Sequence, residues 1–191
     1  MIYTPKIRKA IKFAIKTHEV YQKQLRKGKD IAYITHPLTV GIILAYAGAN
    51  EDVVAAGILH DTIEDSIKNK KVTSDLLTER FGAQVAELVL SVTETDKDLS
   101  WDERKQEALD HVKDFSHESL LVKAADIISN LSEILEDYSR DGEQIFTRFN
   151  APKEKILENK FKMISAIVKA WPENPLAEDL LYLSKELKTI K

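Results

Sequence analysis

Apolar residues recur at intervals of three and four along almost the whole chain, the period of helices that bury one face. The first such stretch predicts a helix from about Thr4 to Gln24, with Ile7, Ile11, Ala14, Ile15 and His18 on one side. A charged turn, Arg26-Lys27-Gly28-Lys29-Asp30, follows it. His36-Pro37 opens a second helix, since proline at the start of a helix gives up only an N–H that has no partner there. Val40, Ile42, Ile43 and Leu44 carry that helix to about Gly48. From Glu51 to Leu59 nearly every residue after the acidic start is apolar, and a helix apolar on all sides belongs in the middle of a bundle. Thr73 or Ser74 caps a short helix ending at Phe81-Gly82, and Ala83 to Val92 forms the next. Trp101 to about Val112, Ser116 to Asp137, Asn150 to Trp171 and Pro175 to Lys188 complete the set, with Ser116 and Asn150 at capping positions. The last helix, with Leu176, Leu180, Leu181, Leu183 and Leu187, is expected to pack on the core. No period-two run, linker or repeat interrupts the pattern, so the expected fold is all-α, a single-domain helical bundle over residues 1–191.

Composition narrows the function classes. With 43% hydrophobic and 31% charged residues in 191, the chain can build a core and stay soluble. A formal charge of -3 argues against a nucleic-acid partner, which would call for a basic excess. There is no cysteine, so thiolate metal sites, disulfides and cysteine nucleophiles are excluded. Any metal must be held by imidazole and carboxylate. The first residues run into a charged amphipathic segment without a long apolar core, which predicts neither a signal peptide nor a membrane span, and a cytoplasmic location.

The costly residues cluster. In Ala55-Ala-Gly-Ile-Leu-His-Asp-Thr-Ile-Glu-Asp-Ser66 an apolar helix delivers His60, Asp61, Glu64 and Asp65 in quick succession. Charged groups near a core need partners or a metal. If the helix continues, His60 and Glu64 share one side and Asp61 and Asp65 another. His60 and Asp61 would then be metal ligands, with Glu64 and Asp65 in reach of the attacking water. His36 and Asp126 sit in similarly apolar company, and Asn130 shares the face of Asp126. Two imidazoles and two carboxylates suit Mn²⁺, Fe²⁺ or Zn²⁺. The bland alternatives are an Asp126 that caps a neighbouring helix and a solvated basic turn at Arg26-Lys27. His18 reads as a packed histidine, and His111 and His117 as solvated ones.

His36…His60-Asp61…Asp126 resembles the HD-domain superfamily of metal-dependent phosphohydrolases. More narrowly, the chain resembles the hydrolase domain of the RelA/SpoT proteins and the small alarmone hydrolases of the Mesh1 type. The matching text is Tyr33-Ile34-Thr35-His36-Pro37, Leu59-His60-Asp61-Thr62-Ile63-Glu64-Asp65, Phe81-Gly82 with Val85, Val92-Thr93, Glu103-Arg104-Lys105, Leu121-Val122-Lys123-Ala124-Ala125-Asp126 and Asn130-Leu131. The resemblance implies a (p)ppGpp 3′-pyrophosphohydrolase with Mn²⁺ as cofactor and a small nucleotide as substrate. It implies metal ligation by His36, His60, Asp61 and Asp126, and activation of water by Glu64 and Asp65. It also implies nucleotide contacts from Arg26, Lys27 and Asn130. The chain departs from the pattern at Ile127 and Ser129, where a basic residue and a histidine are usual, and at Glu158-Asn159-Lys160, where aromatics are frequent. These departures leave two other readings open: a phosphohydrolase for another nucleotide or small phosphoester, and a non-catalytic nucleotide-binding module. Retention of Glu64 and Asp65 weighs against the module.

Overall fold

The structure, a computed structural model, describes residues 3–94 and 98–190. Among these residues the fold is all-helical, and the one extended pairing is an isolated bridge between Leu25 and Ala32. No helix of the described residues is long and apolar enough to cross a membrane. The chain divides into two compact units, Met1–Thr95 and Asp96–Lys191.

In the first unit, α1 spans Pro5–Ile15, with the Thr4 hydroxyl accepting from the Ile7 N–H at 3.2 Å and Pro5 in the first turn. The predicted long first helix changes character after Ile15: Lys16–Tyr21 continue as a π-helical segment that turns Thr17 and His18 inward. The helix α2 is Thr35–Tyr46 and α3 is Glu51–Leu59. Asn50 starts α3 by accepting from the N–H groups of Asp52 (3.0 Å) and Val53 (3.1 Å). Every residue of α3 from Val53 to Leu59 is buried, and the helix packs against α1, α2 and α6, as its all-round apolar character predicts. A short α4, Thr62–Asp65, a 3₁₀ turn at Lys68–Lys70, then α5 (Ser74–Phe81) and α6 (Ala83–Val92) complete this unit. Thr73, rather than Ser74, caps α5.

The close approach of α2 and α3 depends on two glycines. A Cβ on Gly41 would lie 2.5 Å from Ile58 Cγ1, and one on Gly57 would run into Leu44 and come within 3.2 Å of Val40 Cγ1. The helices that carry His36 and His60 therefore meet backbone against side chain.

In the second unit, α7 (Trp101–His111) begins with a reciprocal cap between Ser100 and Glu103. The helix α8, His117–Asp141, is capped by Ser116 as predicted but runs four residues beyond Asp137. Asp137 is almost fully buried and is held by Arg140 at 3.0 Å and Arg148 at 2.7 Å, so the helix has no reason to stop there. A 3₁₀ segment, Gly142–Arg148, leads to α9, Lys153–Ala170. That helix starts after Pro152 rather than at Asn150, because the proline ring disfavours a helical backbone at the residue before it, Ala151. The last helix, α10 (Ala177–Leu187), buries Leu180, Leu183 and Leu187 against α8 and α9, as expected, and leaves Leu181 exposed.

Candidate metal centre

The helix that delivers His60 ends at Leu59, the end the apolar run predicts, so the condition of a helix continuing through Asp61 is not met. Asp61 adopts φ -92°, ψ -2°, and the chain restarts as α4 at Thr62. Two side chains bond backward to end α3. The His60 ring accepts no backbone proton here; its Nδ1–H donates to the Gly57 carbonyl at 2.7 Å, and the Thr62 hydroxyl donates to the Leu59 carbonyl at 2.6 Å. Both carbonyls would otherwise be orphans of the helix end. One helical turn survives the corner, since the Asp65 N–H donates to the Asp61 carbonyl at 2.9 Å.

The bond to Gly57 also fixes the His60 tautomer: with the proton on Nδ1, Nε2 presents a lone pair. That Nε2 lies 3.3 Å from His36 Nε2 and 3.1 Å from Asp61 Oδ2, and His36 Nε2 lies 3.7 Å from the same oxygen. Both imidazoles are buried, with only 3% and 5% of His36 and His60 exposed. With a lone pair on His36 Nε2 as well, these three atoms can all turn an electron pair toward one cation. Ligands held about 2.0–2.2 Å from one metal stand roughly 3.0–3.6 Å apart. The edges of this triangle fall in or close to that range, so the donor set fits a divalent transition metal.

Two further residues, Tyr33 and Gln24, support the centre. The Tyr33 hydroxyl donates to Asp61 Oδ2. Burial first, then the carboxylates of Asp61 and Asp65, push that hydroxyl well above its usual value, so it stays protonated and acts as a donor. The Gln24 amide donates to Asp65 Oδ2 at 2.9 Å, and its oxygen faces His18 Nδ1 at 2.8 Å. The spacing from His36 back to Tyr33 is the one local signal that could have identified the tyrosine. Gln24 meets Asp65 across 41 positions and leaves no such signal.

The remaining candidates divide between the units. Glu64 is half-buried beside Asp65 in α4. The guanidinium of Arg26 lies 5.4 Å from the centre of the Tyr33 ring, which brings it beside the centre, and Lys27 follows on the exposed side of the same turn. In the second unit, Asp126 is half-buried on α8 and bonds along its own helix. Lys123 donates to its Oδ2 at 3.0 Å and Asn130 to its Oδ1 at 2.6 Å. Asn130 thus shares the face of Asp126 as predicted, and Lys123, one turn earlier, joins it there. The departing positions Ile127 and Ser129 are both buried. Glu158 and Asn159 line a groove between α7 and α9 with Trp101, Lys105, Lys155 and Lys162. His18 is fully buried, as a packed histidine should be, while His111 and His117 are exposed, His117 stacked 4.2 Å from Trp171.

Comparison with known proteins places this geometry in context. Residues 10–156 match the HD domain family. The guanosine-3′,5′-bis(diphosphate) 3′-pyrophosphohydrolase MESH1 of Danio rerio is 36% identical over 126 residues, covering 65% of this chain and 66% of that protein. Its Xenopus tropicalis counterpart is 35% identical over 130 residues, covering 67% and 69%. The match therefore spans about two thirds of these relatives. A solved structure of a metazoan SpoT ortholog, described as hydrolysing ppGpp, superimposes with a TM-score of 0.77 over 99% of this chain and 98% of that one. At 22% identity it shows a shared fold.

Proposed function

Because the chain belongs to the HD-domain family of metal-dependent phosphohydrolases, we propose that it removes pyrophosphate from the 3′ position of ppGpp and pppGpp, with Mn²⁺ as cofactor. The metal is held by His36, His60, Asp61 and Asp126. The observation that carries this reading is the convergence of His36 Nε2, His60 Nε2 and Asp61 Oδ2 at mutual distances of 3.1–3.7 Å. Asp126 joins them as the fourth ligand on the strength of donor chemistry and of the family match, which runs across both compact units. The same continuity supports reading residues 1–191 as one HD-type domain. A small, soluble nucleotide as substrate suits a cytoplasmic enzyme, and no nucleic acid or membrane is required as partner.

When bound, the cation supplies positive charge that favours hydroxide over water and stabilises the developing charge on phosphoryl oxygens. The protein's own residues do the rest. Glu64 and Asp65 accept a proton from the attacking water and fix its direction. Tyr33 holds Asp61 with the hydrogen bond already described, so the carboxylate keeps one orientation toward the imidazoles. Arg26 offers a planar guanidinium for stacking on a base and Lys27 a point charge for phosphate. Asn130 contacts the nucleotide near its ribose. Water adds to the phosphorus that bears the 3′ oxygen, the phosphorus–oxygen bond to the ribose breaks, and the nucleotide leaves as a 3′ alcohol with pyrophosphate.

The altered positions favour a second reading in which the metal chemistry is kept and another nucleotide or small phosphoester is cleaved. Ile127 is packed in the core, so no cation stands at that position to meet phosphate. Mn²⁺-loaded protein offered ppGpp, pppGpp and a panel of other phosphoesters separates the readings. Release of pyrophosphate from ppGpp, lost in Asp61→Ala, is the expected result. Turnover of other panel members alone transfers the function to the second reading, and no turnover despite bound metal would make the protein a nucleotide-binding module.

A further inference from the structure

His18 lies outside the ligand set and outside the water-activating pair, yet it is completely buried beside both. Its Nδ1 faces Gln24 Oε1 at 2.8 Å, and Gln24 Nε2 donates to Asp65 Oδ2 at 2.9 Å. The direction of this chain follows from its acidic end. An ionised carboxylate only accepts, so Gln24 must turn its NH₂ to Asp65 and its oxygen to His18. The histidine must then carry its proton on Nδ1. That leaves Nε2 with a lone pair, buried and without a hydrogen-bond partner. Burying an unpaired acceptor is unfavourable, and a phenylalanine would fill the same space without that cost.

The backbone around His18 is shaped for this contact. The π-helical segment Lys16–Tyr21 turns the ring inward, and such segments are frequent at functional sites. Lys23, a non-glycine residue, takes φ +49°, a conformation that L residues rarely adopt. It folds the chain back so that the Gln24 N–H donates to the His18 carbonyl at 2.9 Å. Gln24 is thus tied to His18 through both backbone and side chain. The His18 ring also packs 5.1 Å from that of Tyr33, the donor to Asp61.

We propose that His18 is a positioning residue for the hydrolytic reaction: through Gln24 it fixes the rotamer of Asp65, the carboxylate that directs the attacking water. The inference rests on the function proposed above for Asp65. Misplacing a catalytic group by about 1 Å costs up to roughly 100-fold in rate, and loss of an outer hydrogen-bond partner about 10- to 100-fold.

Two measurements test it. Two-bond ¹H–¹⁵N correlation spectra of the metal-free protein should show His18 as the Nδ1–H tautomer; an Nε2–H tautomer overturns the proposal. In steady-state kinetics, His18→Phe should lower kcat by about 10- to 100-fold with KM nearly unchanged. His18→Asn, which places an amide donor where Nδ1–H was, should recover most of that loss. Gln24→Leu should reproduce the loss, and its combination with His18→Phe should add little, because both break one route. A kcat at the wild-type level in either single variant overturns the proposal. The tautomer is read without substrate or metal. If only another phosphoester is cleaved, the ppGpp assignment fails and the variants are judged on that compound. If nothing is cleaved, both fall.

Discussion

The contact between Gly41 and Ile58 sets how closely α2 and α3 approach, and so how far His36 stands from His60. A methyl group at position 41 would meet Ile58 Cγ1 at 2.5 Å and Cδ1 at 3.0 Å, and Ile58 is only 3% exposed, with little room to yield. Gly41→Ala therefore gains about 1 kcal/mol of helix propensity and loses about 1–3 kcal/mol to overpacking. Ile58→Ala alone removes buried methyl groups and costs about 2–5 kcal/mol. In that background both close contacts are gone and the new methyl meets only the Cβ of residue 58, at 4.0 Å, so the same substitution becomes stabilising by about 1 kcal/mol. The two changes should couple by about 1–3 kcal/mol in favour of the pair, measured as a double-mutant cycle from urea denaturation midpoints. Additivity within about 0.5 kcal/mol would refute the close approach of the two helices. Gly41→Ala should also weaken metal binding, since it wedges apart the helices that carry the two imidazoles.

Other expectations follow from single contacts. Asn50→Ala leaves the N–H groups of Asp52 and Val53 without their acceptor and should cost about 1 kcal/mol, read from the same denaturation curves. Glu64→Gln and Asp65→Asn should each lower kcat by about 100- to 10,000-fold while the bound-metal content stays that of the wild type, a separation that metal analysis beside kinetics would reveal. Tyr33→Phe removes the donor to Asp61 and should weaken metal binding by about 10- to 100-fold, seen in a Mn²⁺ titration.

What the sequence disclosed follows from cost and period. His36 and His60 stand in apolar helices where an imidazole is expensive, and the structure buries both with their Nε2 atoms face to face. Asn130 was legible beside Asp126 because four residues make one helical turn. The end of α3 at Leu59 was legible from the apolar run, but the backward bonds of His60 and Thr62 that close it were not, since neither residue forbids a helix. Gln24 and His18 escaped for a different reason. Their link to Asp65 depends on the path of the chain through a π-helical segment and a left-handed lysine, features that no local preference announces. The extension of α8 likewise depends on Arg148, which returns from a later segment to hold Asp137.

The proposed function rests on one divalent cation shared by His36, His60, Asp61 and Asp126. Equilibrium dialysis of the metal-stripped protein against Mn²⁺, followed by elemental analysis, measures it directly. The prediction is one metal per chain in the wild type and affinity reduced by at least about 10- to 100-fold in both Asp61→Ala and Asp126→Ala, with each variant folded by circular dichroism. A wild-type protein that retains no metal, or an Asp126→Ala variant that binds it as tightly as before, would contradict the four-residue site.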